Sequence, residues 1–242
     1  MTEAIWFSTL SGVSTFLGAA VVMMFRRLSR TFIAFSLGLS AVVMVLVAFF
    51  DLLPTAFQTG GSWAHLCFGF AGGLLLMIMV HRVFSFDHGG EKEGQTDDSL
   101  QRLGLFLTIA IIAHNTPEGA AIGIGFGTER ELGIMLSLAM VIHNIPEGIG
   151  LAAPMLASGR SPRSVAAITL LSGSALPLGT WLGMRYLLHS PDVVAAGLLF
   201  AATTMVWVVI QEMFPHAFQM HWRAAWSGIG AGILLILLIH GI

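Results

Sequence analysis

The sequence predicts an all-α, polytopic membrane protein with eight transmembrane helices. Three observations predict it. Of 242 residues, 56% are hydrophobic and only 10% charged, against about 25% charged in soluble domains. Mean hydropathy is +0.85. Eight runs approach or exceed the roughly 20 apolar residues that span a bilayer, near 4–25, 32–53, 63–84, 103–126, 132–156, 163–187, 193–215 and 223–241. The net charge of −2 offers nothing to a nucleic acid, so none is expected as a partner.

Taken in order, each run has its own features. No Lys or Arg precedes run 1, and Arg26, Arg27 and Arg30 follow it, so it does not read as a cleaved signal peptide. Run 2 ends with Asp51 and Pro54. Run 3 holds Cys67, the single cysteine, which excludes a disulfide within the chain and reads as a small core residue. Residues 85–101 form a polar, acidic loop containing His88, read as a linker or a weak metal sink. Runs 4 and 5 carry HNTPEG at 114–119 and HNIPEG at 143–148. Run 6 contains Ser172-Gly173-Ser174-Ala175-Leu176-Pro177-Leu178-Gly179. Run 7 ends with Gln211, Glu212 and His216, and run 8 follows Arg223.

Basic residues orient the runs. Nine lie at the 1–2, 3–4, 5–6 and 7–8 connections and two, Arg130 and Arg185, lie opposite. Those four connections are therefore expected in the cytoplasm and both termini outside. A short chain without organelle-targeting features points to a bacterial inner membrane.

One shift relates three pairs of runs. At 161 residues, Leu10-Ser11-Gly12 and Leu17-Gly18 meet Leu171-Ser172-Gly173 and Leu178-Gly179. Met44, Val45, Val47, Pro54, Ala56 and Phe57 meet Met205, Val206, Val208, Pro215, Ala217 and Phe218, and Asp51 falls on Glu212. Gly69, Leu74 and Leu76 meet Gly230, Leu235 and Leu237. Runs 4 and 5 form their own pair, with motifs 29 residues apart. One single-domain transporter of 1–242 is expected, an inverted repeat arranged 3+2+3.

On a helix, residues four apart share a face. His114 and Glu118 therefore share one, as do His143 and Glu147; each Glu lies angularly between its His and its Asn, Asn115 or Asn144. Pro117 and Pro146 free the carbonyls of Ala113 and Ile142 as further oxygen donors. An ionised group at mid-bilayer costs about 3 kcal/mol, so two such faces in apolar runs need a purpose. Two His–Glu salt bridges would neutralise them. Facing one another, two imidazoles and two carboxylates suit a divalent transition ion better than Mg or Ca. Without a thiolate, the grip stays weak enough for release.

These motifs, with the eight runs and the His- and acid-bearing loop, resemble the ZIP (Zrt/Irt-like) divalent metal transporter family along essentially the whole chain. The resemblance implies Zn²⁺, and also Fe²⁺, Mn²⁺ or Cd²⁺, moving toward the cytoplasm by an elevator-like alternating access. The ion is substrate, and no organic cofactor is expected. His114, Glu118, His143 and Glu147 resemble the primary site, and Asn115, Asn144 and the shared Glu147 a second. Many members carry Glu in the sixth helix where this chain has Leu176, so one main site is expected. Gln211 and Glu212 resemble the family's polar pair in the seventh helix. Glu212 with His216 forms a candidate exit relay and Asp51 a candidate entrance; a homodimer fits the same scheme.

Other classes compete. Metal-bound water could serve an intramembrane hydrolase, but no HExxH pattern occurs. A sensor or channel without alternating access is a third reading. No GxxxxGK[ST] loop occurs, which argues against ATP use. The chain is expected not to be an enzyme.

Overall fold

The computed structural model describes residues 1–25, 28–84, 96–187 and 190–240. Every regular element among them is helical. The chain forms α1 (Thr2–Met23), α2 (Arg30–Gln58), α3 (Trp63–Phe84), α4 (Thr96–Thr128), α5 (Arg130–Ala157) and α6 (Pro162–Leu187). A last helical stretch, Pro191–Leu238, is 48 residues long. In all, seven described stretches are long and apolar enough to cross a membrane, and the protein is an integral membrane protein.

The last stretch explains the difference between eight runs and seven helices. An unbroken helix of that length would be about 70 Å long, more than twice the roughly 30 Å of hydrocarbon. It is broken at His221, with φ −164° and ψ 92°. There the Ala224 N–H donates to His221 Nδ1 at 3.2 Å, capping the segment that follows. Residues 191–220 are called α7 and 222–240 α8.

Local chemistry sets several ends. Ser29 and Ser161 hydroxyls accept from the N–H groups of Phe32 and Ser164, with Pro162 at the first turn of α6. α5 ends where Gly159 adopts φ +84° and the Arg160 N–H donates to Met155 O at 3.2 Å.

Prolines shape the interiors. Pro54 would clash with the carbonyl four residues back, and the turn before it opens into a π-turn at Ala48–Leu52. Pro215 is preceded in the same way by a π-turn at Val209–Met213. The two π-turns lie 161 residues apart. In each, one residue too many fits into the turn, and the Leu53 and Phe214 N–H groups reach the carbonyls of Ala48 and Val209.

Interhelical contacts repeat at the same shifts. Gly12 of α1 lies against the backbone of Gly173 of α6, and Gly173 against that of Gly12. Gly18 meets Ile145 while Gly179 meets Thr116; Gly148 meets Thr15 while Gly119 meets Leu176. Small residues permit such approaches where lipid supplies no hydrophobic drive. Helices α1, α5, α4 and α6 thus pack as a ring.

One register differs from the sequence reading. Gly69 and Gly73 of α3 meet the carbonyls of Ala196 and Phe200 in α7; Gly228 and Gly232 of α8 meet those of Phe35 and Leu39 in α2. The contact partners are 161 apart, but the glycines are 159 apart. Gly69 therefore corresponds to Gly228, and Gly230 has nothing near it. The turn between α2 and α3, with Gly60 at φ +78°, uses more residues than the sharp break at His221. Cys67 also departs from expectation, since it is exposed on α3 rather than packed inside.

Candidate metal site

The two hexapeptides lie inside the long helices α4 and α5, with Pro117 and Pro146 in the helix interiors. All six polar side chains are buried: His114, Asn115, Glu118 and Asn144 at 0%, Glu147 at 1% and His143 at 2% exposure. Their faces turn toward each other. His114 Nε2 lies 3.1 Å from Glu147 Oε1, and His143 Nε2 lies 3.8 Å from Glu118 Oε2. Each imidazole is paired with the carboxylate of the other helix rather than with the one four residues along its own.

The asparagines are oriented by the flanking helices. Asn144 Nδ2 donates to the Ser11 carbonyl of α1 at 2.9 Å, and Asn115 Nδ2 to the Ser172 carbonyl of α6 at 3.4 Å. Ser11 and Ser172 are repeat mates. With the amide NH₂ groups so engaged, both Oδ1 atoms are left as free acceptors.

Unpartnered polar atoms concentrate here. Among the described residues, eleven buried side-chain N or O atoms make no hydrogen bond, and eight belong to these six residues. They include both Glu118 oxygens, Glu147 Oε2, both His143 nitrogens and both asparagine Oδ1 atoms. Each such group costs about 1–3 kcal/mol. Unpaired carboxylate, imidazole and amide acceptors gathered at one depth are the chemistry of a cation site. Only His114 and Glu147 are at hydrogen-bond distance, and among the described residues no three His, Cys, Asp or Glu side chains converge to hold an ion. All six side chains are shut off from solvent.

Leu176 is fully buried with its carbonyl against Gly119, beside Glu118. Its apolar side chain offers the site no ligand.

The other candidates separate. Gln211 is exposed and lines an apolar groove with Phe49, Phe70 and Trp207, whereas Glu212 is 9% exposed. Glu212 Oε1 bonds His81 Nδ1 at 2.7 Å, and His216 Nδ1 donates to the Glu212 carbonyl at 2.8 Å. The sequence reading did not single out His81. Its one signal was a histidine in the last turn of α3, and only the packing of α3 on α7 brings it to Glu212. Asp51 is half-buried in its π-turn, within electrostatic range of Glu118. His65, at the start of α3, bonds Ser62 Oγ at 2.7 Å and lies 3.5 Å from Asp192 of α7. His88 and residues 85–95 of the predicted loop lie outside the described residues, whereas 96–101 are not loop but the first turns of α4.

A model described as ZIP Zinc transporter matches residues 85–240. Proteins named zinc transporter ZupT are similar along nearly all of the chain. The one from Streptococcus mutans is 32% identical, covering 95% of this chain and 93% of its own length. The one from Chlorobium luteolum is 33% identical, at 97% and 96%. The one from Corynebacterium glutamicum is 34% identical, at 90% and 89%.

Proposed function

The chain belongs to the ZIP zinc transporter family, and on that premise we propose that it moves a divalent transition ion, Zn²⁺ first, toward the cytoplasm by alternating access. It is a transporter of metal ions and not an enzyme, so the hydrolase reading is not favoured. The observation that carries the proposal is the pair of His–Glu edges, each bridging α4 to α5 at 3.1 Å and 3.8 Å. His114, Glu118, His143 and Glu147 are its ligands, with the Asn115 and Asn144 oxygens beside them.

The proposed architecture is eight spans in a 3+2+3 inverted repeat. The break at His221, the paired π-turns and the contacts related by the same shifts support it. Such a repeat, related by a pseudo-two-fold axis, allows openings to either side of the membrane in turn. The proposed setting is a bacterial inner membrane with both termini outside. Asp51 then attracts cations at the entrance, and Glu212 with His81 and His216 receives them at the exit.

Saturable Zn²⁺ uptake into proteoliposomes, competed in turn by Fe²⁺, Mn²⁺ and Cd²⁺, tests this reading; no uptake above protein-free vesicles overturns it. Protons compete with metal for imidazole. Uptake should therefore weaken as the pH falls and imidazole takes up protons. A profile flat from about pH 7.5 to 5.5 counts against the histidine ligands.

Leu176→Glu is expected to give the purified protein a second bound ion. Carboxylate oxygens would then join Asn115 Oδ1, which stands unpaired on the α6 flank. Unchanged stoichiometry by elemental analysis contradicts that.

A further inference from the structure

The ring α1–α5–α4–α6 has two halves, and they differ in one side chain. One half holds His143 and Glu118 with Leu176 on its flank; the other holds His114 and Glu147 with Thr15 on its flank. Leu176 and Thr15 are repeat mates. Each presents its carbonyl to the glycine that follows the motif glutamate, Gly119 or Gly148.

Thr15 is fully buried and its Oγ1 has no partner. A threonine in a helix normally satisfies its hydroxyl at the carbonyl four residues back, here that of Ser11. That carbonyl is occupied. It accepts from Ser14 Oγ at 2.6 Å and from Asn144 Nδ2 at 2.9 Å, besides lying in the helix ladder. The other buried hydroxyls of α1, Ser8, Ser11 and Ser14, each bond a carbonyl. Thr15 is thus the exception in its own helix.

Its direction follows from the helix. Ser11 faces α5 and Gly12 faces α6. At about 100° per residue, Thr15 lies about 40° from Ser11 and about 60° from Gly12, on the arc between them. That arc looks into the ring, toward the half where Asn144 Oδ1 and Glu147 Oε2 also stand unpaired.

We infer that the Thr15 hydroxyl is an oxygen donor to the carried ion on the His114–Glu147 half of the site, where Leu176 leaves the other half without one. The inference rests on the proposed metal-transport reading. A neutral hydroxyl binds a divalent ion less tightly than a carboxylate, because it brings no charge. It adds a ligand while deepening the well from which the ion must leave by less than a carboxylate would. The same asymmetry predicts which half holds the ion longer, namely the one nearer Thr15.

The test is equilibrium Zn²⁺ binding by the full-length protein in detergent, against a competing chelator. Thr15→Val keeps the shape and removes the oxygen. It should weaken binding about tenfold, the scale of losing a supporting metal contact. Thr15→Ser should stay within about twofold of the unaltered protein. The melting temperature of Thr15→Val without metal should be unchanged or higher, since a buried unpaired hydroxyl has gone. Lost stability with unchanged Zn²⁺ affinity assigns Thr15 a structural role and overturns the inference. Glu147→Ala separates the two levels. If it binds Zn²⁺ normally, the site reading itself fails; if it loses binding while Thr15→Val does not, only the Thr15 inference fails. Should Thr15→Val not insert, Thr15→Ala is read by the same criteria.

Discussion

Glu118→Ala and His143→Ala are each expected to reduce Zn²⁺ uptake to background while the protein still inserts and folds. These two residues form one of the cross-helix pairs, 3.8 Å apart and buried at 0% and 2% exposure. Loss of groups that merely support a metal costs 10–100-fold in affinity, so loss of a direct ligand should cost at least about 100-fold. Neither substitution collides with anything, because each shortens a side chain. Each also removes a group that is expensive to hold in lipid, so stability without metal should hold or rise. The check is initial-rate uptake into proteoliposomes, normalised to inserted protein, alongside melting in detergent. Wild-type kinetics in either variant would remove that residue from the site, and a collapse of folding would make its pairing structural.

The largest structural effect is expected at the crossing of α1 and α6. A Cβ at Gly12 would fall on the carbonyl oxygen of Gly173, and one at Gly173 on that of Gly12. Both obstacles are backbone, so no rotamer change relieves them. Gly12→Val should destabilise the protein by at least about 3 kcal/mol, the upper range for overpacking, and push α1 away from Asn144. Gly230→Ala provides the comparison, since nothing lies near that position, and it should leave melting unchanged. Equal melting temperatures for the two variants would mean that the close crossing does not hold the bundle together.

Parts of this fold were legible in the residues. Runs of apolar side chains mark membrane helices because no other solvent accepts them. The i, i+4 spacing put His114 with Glu118 and His143 with Glu147 on shared faces, because helix geometry is local. The sequence reading did not extend to which partner each imidazole takes. His114 reaches Glu147 and His143 approaches Glu118, a pairing set by how two helices lie side by side. His81 was missed for the same reason, since 131 residues separate it from Glu212.

The shift of 161 residues matches the contacts at some helices and misses one register. The shift of 161 holds for the Gly12–Gly173 crossing and for both π-turns. It fails for α3 and α8, where contacts equate Gly69 with Gly228. A shift that aligns Leu with Leu along an apolar helix carries little information, because lipid-facing positions accept any large apolar residue. A glycine under a neighbouring carbonyl carries much more.

What the sequence determined by itself is the solvent this protein lives in and the helix faces on which its histidines and glutamates fall. Those depend on residue type and on spacings within one helix. What only the tertiary structure decided is which groups meet across helices: the exchanged His–Glu pairs, the oriented asparagines, the true register of α8 and the partnerless hydroxyl of Thr15. Contacts between distant segments depend on how closely backbones approach, and that distance is fixed by small residues facing each other in space.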